Sequence, residues 1–122
     1  NGHLDVVKEL LGDERVNPSA DDNDAIRYAS EKGHLDVVKE LLGDERVNPS
    51  ADDNDAIRFA SENGHDNVVQ VLLKDERVDP SARDDYAICS ASRFGHLNVV
   101  QVLLNDERVN PSASDNSAIR CA

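Results

Sequence analysis

Four histidines, His3, His34, His65 and His96, each follow a glycine and recur every 31 residues. Imidazoles at regular spacing are the side chains of zinc sites, proton relays and pH-sensitive contacts. Zinc, however, needs its donors about 2 Å from one ion, whereas stacked helices stand about 8–10 Å apart. Successive histidines therefore do not share a metal, and an imidazole packed and hydrogen-bonded locally at a turn is expected. The acidic runs Asp21-Asp22-Asn23-Asp24 and Asp52-Asp53-Asn54-Asp55 have the composition of a calcium loop. Counted from Asp22, the sixth and twelfth places of an EF-hand fall on Arg27 and Gly33, where glycine and an acid are required. Capping and solvation explain these carboxylates. Ser30, Ser61 and Ser92 also repeat with the period. A nucleophile needs one particular base within reach, so near-identical copies point away from an enzyme. With Tyr28, Phe59, Tyr86 and Phe94 as the only aromatics, the core is built of Val, Leu, Ile and Ala, and no cofactor cavity is expected.

These residues are carried by a repeated unit. Units 2–32, 33–63, 64–94 and 95–122 form one array over residues 1–122, and the first two differ only at Tyr28/Phe59 and Lys32/Asn63. A period of this length marks a solenoid, in which a single unit cannot bury its own apolar face. The chain opens and stops inside a unit, which reads as a piece of a longer array.

In Leu35-Asp36-Val37-Val38-Lys39-Glu40-Leu41-Leu42 the apolar residues wrap a broad stripe around one side of a short helix. Gly12, Gly43, Lys74 and Asn105 follow it, and glycine and asparagine suit a left-handed helix end. Pro18, Pro49, Pro80 and Pro111 then enforce a loop. Asn23, Asn54, Asp85 and Asn116 are placed to cap a second helix, anchored by Ile26/Ala29, Ile57/Ala60, Ile88/Ala91 and Ile119/Ala122. The expected fold is an all-α solenoid of stacked helix-turn-helix repeats.

The net charge is −12, and the first two units contribute −4 and −5 of it. A field of that sign repels phosphate backbones and anionic headgroups, so neither nucleic acid nor membrane is expected as a partner, and basic proteins or peptides are. Cys89 and Cys121 occupy non-equivalent slots of adjacent units. Such a pair is no disulfide framework and fits a reducing, cytoplasmic setting.

Gly33-His34-Leu35-Asp36-Val37-Val38-Lys39-Glu40-Leu41-Leu42 and Val47-Asn48 resemble the ankyrin repeat. The resemblance covers the whole chain, with two departures. Asp55-Ala56-Ile57-Arg58 stands in place of the family's Thr-Pro-Leu-His, and the unit is two residues short in its long loop, so a blunt turn is expected there. The resemblance implies a non-catalytic protein-interaction module whose turn tips and first helices, here the Ala-Ile ones, line a concave face. Departures from the repeat cluster on that turn and helix. They make Asp24, Arg27, Tyr28, Asp55, Arg58, Phe59, Arg83, Tyr86 and Phe94 the expected partner-binding residues, several of them hot-spot types. The rival expectation is a rod or filament grown by end-to-end stacking of near-identical repeats.

Overall fold

The computed structural model describes residues 20–106 and 108. The first Gly-His segment, and Asn116, Ile119, Cys121 and Ala122 of the last unit, lie outside the described residues. Six helices follow one another: α1 (Ala20–Lys32), α2 (Leu35–Leu42), α3 (Ala51–Glu62), α4 (Asp66–Leu73), α5 (Ala82–Arg93) and α6 (Leu97–Leu104). Among the described residues there is no strand. Each Ala-Ile helix pairs with the Gly-His helix after it, giving the hairpins α1/α2, α3/α4 and α5/α6. The hairpins stack, so α1, α3 and α5 form one row and α2, α4 and α6 a second. The Ala-Ile row is the more extensively packed of the two. The side of α1, α3 and α5 that faces away from the second row is termed the inner face.

The expected apolar anchors form one continuous core. Ile26, Ala29, Val38, Leu41, Ile57, Ala60, Val68, Val69, Leu72, Ile88, Ala91, Val99 and Leu103 are buried, together with the loop residues Val47 and Val78. A fully buried Ile or Leu contributes about 1.5–3 kcal/mol, and alanine at the other core positions lets neighbouring helices approach closely.

Two local expectations need correction. The residue after the Gly-His helix is right-handed in every described copy, with φ −75° at Gly43, −72° at Lys74 and −79° at Asn105. That backbone lets Asp44 N–H reach the Leu41 carbonyl and Val47 N–H the Asp44 carbonyl, so a tight turn continues the chain and lysine serves there as well as glycine. The left-handed glycine lies at the other end of the unit, at Gly33 (φ 77°) and Gly64 (φ 79°).

The second correction concerns the expected asparagine caps. α3 begins with a left-handed turn over Asp52, Asp53 and Asn54, at φ 55°, 55° and 61°. Asn23 and Asp85 share that conformation at φ 66° and 62°. Asp and Asn are the side-chain-bearing residues that best tolerate it. The Asn side chains do not cap their own helices. Asn23 Oδ1 accepts from Asn48 N–H at 2.7 Å, and Asn54 Oδ1 accepts from Asp79 N–H at 2.8 Å. Each bond ties one unit to the loop of the next.

Candidate partner-binding face

The residues that recur in every unit are occupied in holding units together. His65 Nε2 stands 3.0 Å from the Glu31 carbonyl oxygen, and His96 Nε2 stands 3.0 Å from that of Glu62. A carbonyl only accepts, so Nε2 carries the proton. The partner is in the preceding hairpin, on its Ala-Ile helix, rather than in the local turn. The glycines make room for these rings: a Cβ at Gly33 would stand 2.6 Å from His65 Nδ1, and one at Gly64 would stand 2.7 Å from His96 Nδ1. The Asp-Glu-Arg loops make a third link. Arg77 donates to the Val47 carbonyl at 3.1 Å, and Arg108 donates to the carbonyls of Val78 and, at 2.6 Å, of Leu73. Asp75 holds Arg77, and Asp106 holds Arg108, through paired hydrogen bonds to the guanidinium. These bonds keep both carboxyls below the usual carboxylate range. In the equivalent pair, the hydrogen bonds from Arg46 lower Asp44 to about 2.

The variable residues lie on the inner row and fall into three groups. At α1, Arg27 Nε donates to Asp24 at 2.9 Å, and the guanidinium also faces Glu31, through Nη1, and Asp55, through Nε, each at 3.9 Å. The hydrogen bond to Asp24 raises the guanidinium above its ordinary value. Tyr28, 54% exposed, carries the Lys32 ammonium 5.7 Å from its ring centroid.

Between α3 and α5, the Arg58 guanidinium lies 5.3 Å from the Phe59 ring centroid and 5.2 Å from that of Tyr86. Its N–H groups donate to the carbonyls of Asp53 at 3.0 Å and Asp52 at 3.2 Å, which fastens the left-handed turn. Tyr86 O–H donates to Glu62 at 3.2 Å. Phe94, 55% exposed, stands apart, its ring centroid 6.4 Å from that of His96. With Glu62 and Asn63 these two line an open cavity of about 460 Å³.

Asp24, Arg27, Tyr28, Phe59, Tyr86 and Phe94 thus keep accessible surface on the inner row or at its edge. Asp55 and Arg58 are 4% and 8% exposed, and Arg58 serves the architecture of its own unit. The Arg83 side chain lies outside the described residues. Glu31 and Glu62 belong to the same groups and were missed. The four-residue step from Arg27 to Glu31 was the available signal for the first of them. Among the described residues, no group of three or more His, Cys, Asp or Glu is placed to hold a metal ion, and no helix is long and apolar enough to cross a membrane.

Cys89 corrects another expectation, because it is disulfide-bonded. It takes the position held by Arg27 and Arg58 in the other units, and the chain's other cysteine, Cys121, follows one period plus one residue later.

The family model described as ankyrin repeats (3 copies) matches residues 1–84, and the ankyrin repeat model matches residues 86–116. The chain belongs to the ankyrin repeat family. Ankyrin repeats are generally protein–protein interaction modules and typically non-catalytic. No curated protein and no solved structure matches the chain. Within this ankyrin array, the division between residues that join units and residues that vary is therefore drawn from the chain's own geometry.

Proposed function

We propose that this ankyrin array binds a protein partner through the inner face of α1, α3 and α5. One observation carries the reading. His65, His96, Asn23, Asn54, Arg77 and Arg108 are engaged between units, whereas Tyr28 is left half exposed beside Asp24 on the inner row. An exposed tyrosine beside charged groups is the composition of an interface hot spot. The negative field favours a partner carrying positive charge over nucleic acid or an anionic membrane. A photo-crosslinking amino acid at Tyr28 tests the reading, with one at Gln70, exposed on α4, as its reference. Crosslinked protein from position 28 alone supports the inner face, and equal yields from both positions refute it.

A further inference from the structure

Asp55 is a nearly buried carboxylate on the inner row whose one ion pair is long. Its side chain is 5% exposed, and the nearest cation, Arg27 Nε, stands 3.9 Å away, beyond hydrogen-bond reach. Among the described residues its carboxylate accepts no hydrogen bond. The Arg27 guanidinium is held instead by Asp24. Arg58 directs its N–H groups at the carbonyls of Asp52 and Asp53. A carboxylate so little exposed whose one ion pair lies beyond hydrogen-bond length keeps acceptor capacity for a donor from outside the chain.

The surroundings define which partner. Asp24 and Asp52, both exposed, act on it, against Arg27 and the buried Arg58 as opposing cations among the described residues. The equivalent position in the unit before is Asp24, exposed and already bonded, and in the unit after it is Tyr86, so the arrangement occurs once in the described array.

Resting on the inner-face reading above, we infer that Asp55 is the seat for a cationic side chain, a guanidinium or an ammonium, presented by an extended segment of the partner protein. The donated hydrogen bonds satisfy the carboxylate, and Asp24 and Asp52 add attraction from the rim. Burial, and then Asp52, push the Asp55 carboxyl up to about 6, with Arg27 and Arg58 opposing and Asp24 adding a smaller upward push. A docked cation favours the ionised form and draws that value down, so seating weakens once the medium falls below it.

The test is an amide-shift titration of the full 122-residue chain with the capped peptide acetyl-Gly-Arg-Gly-Arg-Gly-amide, and with its citrulline counterpart as the uncharged reference. Shifts centred on Asp24, Arg27, Tyr28 and Asp55 are expected with the arginine peptide alone. D55N weakens its affinity about tenfold, the loss of one charge-assisted hydrogen bond. D36N, which removes the same charge from the exposed outer side of α2, changes it less than about twofold. Circular dichroism of both variants checks that the fold is kept, and D24N gives an independent second loss at the rim. Equal losses in D55N and D36N would reduce the effect to bulk charge and overturn the seat. Inner-face shifts unaffected by D55N would overturn the seat while leaving the inner-face reading standing. Shifts centred on α2, α4 and α6 would overturn both.

Discussion

His96 reaches back to the preceding hairpin, to the Glu62 carbonyl at 3.0 Å, its ring lying over Gly64. The Gly-His pair is thus two halves of one joint, the glycine of one unit receiving the histidine of the next. Gly64→Ala drives a Cβ to 2.7 Å from the His96 ring at φ 79° and is expected to destabilise by about 2–4 kcal/mol, from overpacking plus left-handed strain. His96→Ala should cost about 1–3 kcal/mol, from the lost bond and the emptied slot. Because both act on one joint, the double variant should lose clearly less than the sum in urea denaturation. Full additivity would separate the two residues.

Asn54 combines a left-handed backbone with a bond to the next unit's Asp79 N–H. Asn54→Ala should lose about 2–4 kcal/mol, since it orphans that amide and strains the turn. Asn54→Gly removes the bond but not the conformation, and should lose roughly 1–2 kcal/mol less than alanine in the same denaturation experiment.

Much of this array is legible in sequence, and what is not has a common cause. The period, the helix over Leu35–Leu42 and the anchors Ile26 and Ala29 follow from apolar spacing within a turn or two of helix. Asn54 read as a cap, and His96 as a local turn residue, because local patterns report partners a few residues away. Their true partners, Asp79 and Glu62, lie 25 and 34 residues distant. On the inner face Tyr28 was legible as a variable aromatic. The burial of Asp55 and Arg58 was not, because it depends on how α3 meets its neighbours and on a left-handed turn that no helix propensity signals.

Ser30 and Ser61 stand on α1 and α3 with hydroxyls that are fully buried and have no hydrogen-bond partner. Each costs its desolvation without return. Ser61→Ala is expected to stabilise the array by about 1 kcal/mol, and the paired Ser30→Ala, Ser61→Ala variant by about twice that, as a shift of the urea midpoint to higher denaturant at unchanged slope.

Asp55 sets a pH dependence of definite sign. Its folded value, about 6, lies above the usual carboxylate range, so the folded array holds a proton that the unfolded chain has released between about pH 4 and 6. Its stabilising contribution is complete below about pH 4 and disappears as pH rises through 6, amounting to about 1–3 kcal/mol. Asp44, Asp75 and Asp106 are shifted the other way and act at lower pH, where stability falls with acid. Urea midpoints at successive pH values should decline from 4 to 6 in the native chain, and that decline should vanish in Asp55→Asn.

The central claim, that recurrent polar residues bind unit to unit, is tested most directly by hydrogen exchange at Asn48 and Asp79. Both are exposed loop residues, yet their amides donate to Asn23 and Asn54 across the unit boundary. Two-dimensional NMR exchange should find them protected to a degree comparable with the helical amides of Val38 and Val69. Exchange as fast as that of the neighbouring loop amides of Glu45 and Glu76 would contradict the claim.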